Sequence, residues 1–267
     1  MSYEIEGGKL ITYLPDPVDV VVPEGVTEIG SAAFAEANIK TIKLPKSLRV
    51  IKDHAFWNCK RLMRVEFSDG LVEIERSAFE NCTRLVTMNI PSSIQKIGVN
   101  AFVNTPWLNL KHGFNIVGDG ILVCYHGPEK HIIIPEQVKQ IGRFAFSGNQ
   151  LIEEVTCNDG LEIIEAFAFS GCHKLKKINL PNKMQKIRHN AFSQTGIERI
   201  IIPNGIVKIS DNVFSRCYDL EEVILPPTVL KLCHQAFEGC HNLVKINLNP
   251  NTTIESDAFN ECVNLKF

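Results

Sequence analysis

The residues best suited to chemistry are cysteines and histidines in the second half of the chain. Cys233-His234 and Cys240-His241 set two thiol–imidazole pairs close together, and Cys172-His173 echoes them upstream. Thiolate and imidazole are ordinary zinc ligands, but a structural site needs about four converging ligands, with paired cysteines roughly two to four residues apart. Here six residues separate Cys233 from Cys240. Adjacent Cys and His side chains on an extended coil also point in different directions, so the pairs read as structural rather than as a metal site. Nucleophilic catalysis would need a Ser or Cys in a strained turn beside a His and an acid, and no Gly-x-Ser-x-Gly occurs. P-loop and dinucleotide fingerprints are absent as well. Gly118-Asp119-Gly120 reads as turn chemistry, because the ligands that would complete a calcium or phosphate loop are missing around it. The expectation is a chain with no catalysis, no cofactor and no metal.

The placement of the cysteines says more than their number. Cys59, Cys82, Cys172, Cys217, Cys240 and Cys262 each lie three residues after a phenylalanine, and the same position elsewhere holds Ala37, Thr105, Asn149 and Thr195. The position therefore asks for a small, largely buried side chain, and Cys serves as a small hydrophobe. Nine cysteines in all, an odd count, also suit reduced thiols.

Those phenylalanines define the elements that position everything else. Phe34, Phe56, Phe79, Phe102, Phe146, Phe169, Phe192, Phe214, Phe237 and Phe259 recur at gaps of 22 or 23 residues, with one gap of 44, two periods. Each period opens on a run such as Leu175-x-x-Ile178-x-Leu180-Pro181. It then steps from Met184 to Ile187 and reaches Asn190-Ala191-Phe192. Leu85-x-x-Met88-x-Ile90-Pro91 and Leu220-x-x-Val223-x-Leu225-Pro226 repeat the opening. Period-two alternation predicts a short strand with one buried face. Proline ends it by removing a ladder donor. The Ala-Phe stretch predicts a helical turn that drops its ring inside. One coil of this length cannot bury its own apolar face, so the coils must stack in parallel as a solenoid.

The pattern Leu-x-x-Ile-x-Leu-Pro, then apolar-x-x-Ile-Gly, Ala-Phe and Cys, resembles the BspA-like leucine-rich repeats of bacterial and protozoan surface proteins. It spans nearly the whole chain. The resemblance implies a leucine-rich-repeat solenoid of parallel β-strands with short helical turns, and a role in adhesion or partner binding.

Between Phe102 and Ile132 the repeat lapses for about one coil, and the segment 114–125 reads as a β-hairpin about Gly118-Asp119-Gly120. Residues 3–13 form its twin around Gly7-Gly8. A single solenoid domain over 1–267 is expected, with block 1 at 1–111 under a capping hairpin and block 2 at 112–267 opened by the internal one. The internal hairpin replaces one coil or marks a bend, and the preserved register of the 44-residue gap favours replacement. At the far end, Val263-Asn264-Leu265-Lys266-Phe267 begins another strand with no cap, so either further chain or a self-associating partner is expected at that edge.

Hydrophobic residues make up 45% and charged residues 22%; 28 Lys and Arg against 30 Asp and Glu leave a net charge of −2. That balance gives no footprint for nucleic acid or for an acidic lipid surface, and no apolar run has the length of a membrane span. Met1-Ser2-Tyr3-Glu4-Ile5-Glu6 lacks the basic patch and apolar stretch of a signal peptide. As written the chain reads as cytoplasmic, and as a cell-surface protein if it is a trimmed fragment.

The residues flanking the central apolar residue of each strand point outward in two columns. One holds Asp19, Thr41, Arg64, Thr87, His131, Glu154, Lys177, Arg199, Glu222 and Lys245. The other holds Val21, Lys43, Glu66, Asn89, Ile133, Thr156, Asn179, Ile201, Ile224 and Asn247. Alternating signs in the first column suit a solvated face with weak cross-strand ion pairs. Ile201 and Ile224, in adjacent coils beside Arg199 and Glu222, are the candidate contact patch. The function expected is a macromolecule-binding or adhesion module that uses the curved inner face toward a protein or surface glycan. The alternative is a structural spacer in a larger surface protein.

Overall fold

The computed structural model describes residues 3–14, 17–109 and 112–266. It divides into two compact units, Met1–Asp119 and Gly120–Phe267, each a parallel β-solenoid whose coils contribute two short strands. In the first unit the opening strands Asp19–Val21, Thr41–Lys43, Arg64–Glu66 and Thr87–Met88 pair in parallel and in register. A second layer pairs Lys9–Tyr13, Glu28–Ile29, Val50–Ile51, Glu73–Ile74 and Lys96–Ile97. Tyr3–Glu6 folds back antiparallel on Lys9–Tyr13, which is the expected N-terminal hairpin. Met1 and Ser2, on which the signal-peptide reading partly rested, lie outside the described residues.

In the second unit the opening strands form two runs. His131–Ile133, Glu154–Thr156 and Lys177–Asn179 make one; Arg199–Ile201, Glu222–Ile224 and Lys245–Ile246 make the other. The second layer runs from Ile121–His126 through Gln140–Ile141 and Ile163–Ile164 to Lys186–Ile187. It resumes at Lys208–Ile209, Lys231–Leu232 and Thr253–Ile254. Val263 is exposed, and Phe267 lies outside the described residues.

The alternation read from the sequence is clearest in the strands whose central residue is buried between two exposed ones. In Arg199–Ile201 the two outer side chains are exposed and Ile200 is buried. Inside each unit the repeat rings form a column. Tyr13, Phe34, Phe56, Phe79 and Phe102 follow one another at 4.8–5.7 Å in the first unit. In the second, Phe146 through Phe259 follow at 4.8–5.6 Å. Tyr125 heads that column, 5.3 Å from Phe146, so each unit begins its stack with a tyrosine on the strand before the first repeat coil. Where the repeat lapses, the short helix Pro106–Asn109 brings Trp107 against Phe102 at 5.1 Å. The Trp107 indole N–H donates to the Met88 carbonyl at 3.1 Å.

One expectation is corrected. The Ala-Phe stretch is not a helical turn; Pro106–Asn109 is the one α-helix among the described residues. From Phe34 through Phe237 the residues two before and two after the repeat Phe take left-handed backbone, as at Asn190 (φ 57°) and Gln194 (φ 58°) around Phe192. Left-handed residues break an α-helix and turn the backbone N–H groups toward the neighbouring coil. Phe56 N–H donates to the Ala78 carbonyl at 2.7 Å, and Phe169 N–H to Ala191 at 2.8 Å. Ala55, Ala78, Ala168 and Ala191, beside the rings, are fully buried, and in the Phe214 coil Val213 takes the same place and accepts the same bond from Phe192.

Candidate functional site

The thiol–imidazole pairs split as their adjacency required. Cys233 and Cys240 are buried. The exposed His234 meets Asp257 at 3.1 Å through Nδ1, and His241 packs against Tyr218 with ring centroids 5.2 Å apart. Among the described residues no three His, Cys, Asp or Glu side chains gather as metal ligands. The ladder cysteines are packing residues with a directed bond. Each thiol donates to the carbonyl of the preceding coil's Phe: Cys59 to Phe34 at 2.9 Å, Cys172 to Phe146 at 3.1 Å, Cys217 to Phe192 at 3.0 Å. Burial pushes the Cys172 thiol up to about 12 and the Cys217 thiol up to about 11. Thiolate chemistry is therefore suppressed at neutral pH.

The contact patch expected on the strand face is brought together by register. Arg199 lies opposite Glu222, and Ile201 opposite Ile224. The Arg199 guanidinium reaches the Glu222 carboxylate at 2.6 Å, and Lys245 reaches the other carboxylate oxygen at 2.5 Å. These bonds, Lys245 first and Arg199 next, hold the Glu222 carboxyl below its ordinary range.

The two isoleucines are not equivalent. Ile201 is 51% exposed, whereas Ile224 is half-buried, contrary to the expectation that both lie open. Asparagines in the same column explain the difference. The Asn247 side chain leans back over the coil of Ile224 and bonds both the N–H and the carbonyl of Leu225 at 2.8 Å. Asn179 leans the same way, onto Cys157, and so turns away from Ile201.

Apolar exposure on this face was only partly legible. Val21 (65%) and Ile133 (74%) are more open than Ile201. All three sit on the first opening strand of a paired run, where one flank has no ladder-bonded neighbour. Val21 and Ile133 stand in the same outward column as Ile201 and Ile224, but without an apolar neighbour in the adjacent coil. Sequence reasoning also passed over Phe144 and Phe167, which lie two residues before a repeat Phe, where other coils carry His54, Ser77, Asn100, Asn190, Asn212 and Gln235. No helix among the described residues is long and apolar enough to cross a membrane.

Comparison with known proteins agrees with the architecture. No curated protein sequence matches the chain. Among solved structures, the pneumococcal vaccine antigen PcpA is 22% identical with a TM-score of 0.56, over 93% of this chain and 75% of that one. A leucine-rich cell surface protein of Faecalibacterium prausnitzii A2-165 is 19% identical with a TM-score of 0.48, over 90% and 89%. A leucine-rich-repeat protein of Bacteroides ovatus ATCC 8483 is 24% identical with a TM-score of 0.48, over 98% and 79%. The profile of the BspA type leucine-rich repeat region matches six copies over residues 17–117 and 139–266, so the chain belongs to that family.

Proposed function

We propose that the chain is a non-catalytic macromolecule-binding module, with the outward strand face around Arg199, Ile201, Glu222 and Ile224 as its contact surface for a protein or surface glycan. Leucine-rich-repeat regions commonly act as interaction modules, and family membership supports that reading. The observation that carries it is Ile201, an exposed β-branched side chain beside an ion-paired rim in a rigid parallel ladder. Such a patch gains by losing water, and its charged rim excludes solvent around it. The ladder Arg199–Glu222–Lys245 satisfies its own charges, which favours the second reading, a structural spacer in a larger surface protein.

Affinity capture from the source organism separates the two. The wild type retains a defined partner that Ile201→Asp loses while keeping its circular dichroism spectrum. A partner retained equally by Ile201→Asp rejects this face, and no partner at all supports the spacer.

A further inference from the structure

The second unit carries an arrangement that its repeat does not ask for. Phe144 (φ 59°) and Phe167 (φ 60°) occupy the left-handed position two residues before the repeat Phe. A bulky aromatic side chain is a backbone outlier there, where Asn is tolerated by its short polar side chain. Strain of this kind persists where the surroundings or a function impose it. The two rings stack on each other, 5.1 Å apart and 19° from parallel. Phe144 remains 41% exposed. The Arg143 guanidinium carbon lies 5.3 Å from one ring centroid and 5.1 Å from the other, closing a near-equilateral triangle. His189 of the next coil meets Phe167 edge-on at 5.4 Å.

Arg143 is the cation of this group without an anion. Among the described residues it makes no ion pair, and its buried Nε has no hydrogen-bond partner. Glu165 lies within electrostatic reach but is approached by Arg188, at 3.8 Å. A guanidinium stacked on aromatic rings keeps its planar fork of N–H donors for a carboxylate. The exposed ring beside it offers apolar area. Charges of both signs surround the triangle, Glu165 and Asp211 as well as Arg188, so no stripe of cations awaits a polyanion.

We propose that Arg143, Phe144 and Phe167, rimmed by His189, form a second contact surface of this unit that takes a protein segment presenting one carboxylate beside an apolar side chain. This surface is separate from the strand face around Ile201 and stands or falls without it.

His189 provides a reporter. Its burial and then the charge of Arg143 hold its pKa below the ordinary value, against the opposing pull of Asp211 and Glu165 and with that of Arg188. A carboxylate seated on Arg143 offsets that charge, so the imidazole gains its proton at a higher pH.

The test is an NMR titration of the whole chain with sodium N-acetyl-L-phenylalaninate, with the neutral N-acetyl-L-phenylalaninamide, and with sodium glucuronate. The first probe is expected to shift the Phe144, Phe167 and His189 resonances saturably, to bind at least about tenfold more tightly than the amide, and to raise the His189 midpoint. Arg143→Gln removes these effects and Ile201→Asp leaves them unchanged. Equal binding of acid and amide overturns the proposal, as does the absence of a saturable shift; tighter binding of glucuronate overturns it in favour of an acidic saccharide. Phe144→Asn supplies an independent readout, because it installs the residue that residues 100, 190 and 212 already carry. A ring kept for contact predicts a higher melting temperature and lost binding, whereas a lower melting temperature shows that the ring is packing and overturns the proposal.

Discussion

Phe56 and Phe79 lie face to face, ring centroids 4.8 Å apart and planes 5° from parallel, though they stand 23 positions apart in sequence. The contact recurs from coil to coil, so the interior of each unit is built from one repeated pair. Its value lies in buried area more than in any special ring geometry.

Removing one ring from the middle of the column leaves a cavity bounded by two others. Phe192, fully buried between Phe169 and Phe214, is expected to cost about 3–5 kcal/mol when changed to Ala. Urea denaturation checks this; an unchanged midpoint means that the column is not what holds the coils together.

Neighbouring positions on one strand should respond oppositely to charge. Ile201→Asp places a carboxylate in solvent and is expected to shift stability by no more than about 0.5 kcal/mol. Ile200, buried under the same strand, becomes an unpaired buried charge as Asp and should lose roughly 4 kcal/mol or more. Paired denaturation curves decide the matter, and similar losses for both would contradict the orientation of the strand.

Alkaline pH should weaken the second unit through its thiols. Burial raises Cys172 from 9.0 to about 12 and Cys217 from 9.0 to about 11. The folded state thus holds protons that the unfolded chain releases. The contribution is whole below pH 9 and is lost as pH climbs from there through the folded values. Thermal melts at pH 8, 9 and 10 should fall progressively, and Cys172→Ala with Cys217→Ala should flatten the slope. An unchanged slope would assign the alkaline loss to other groups.

Glu222 should titrate below an ordinary carboxylate, because Lys245 and then Arg199 bind its charged form. Its pairing contribution is present above the unfolded pKa and disappears as pH falls through the lowered folded value. Carbon-detected NMR of the Glu222 carboxyl should show the midpoint rising in Lys245→Gln and in Arg199→Gln, and falling salt dependence in both. A midpoint indifferent to either change means that the ion pairs do not persist in solution.

Most of the fold was legible because a solenoid writes its packing as period. The spacing of Phe34 through Phe237 marks the buried column, and the alternation at Arg199, Ile200 and Ile201 marks the outward face. The turn conformation was not legible from Ala-Phe alone. Alanine favours helix intrinsically, and only the left-handed flanking residues, such as Asn190 and Gln194, override it. The difference between Ile201 and Ile224 escaped because it depends on which way an asparagine on a neighbouring coil leans. Phe144 and Phe167 were visible in the sequence but not as exceptions, since their position acquires meaning only once its φ is known.

The bonds from turn N–H groups to carbonyls of the next coil, as at Phe56 to Ala78 and Phe169 to Ala191, make chain length a counted quantity. An insertion of one residue in a coil interior misaligns its strand registers, its ring and its turn donors together. Removal of a whole period returns every donor to an equivalent acceptor. Variation in length is therefore confined to whole coils or to the exposed corners between strands, and a lineage can shorten or extend either unit in steps without redesigning the cross-section it repeats.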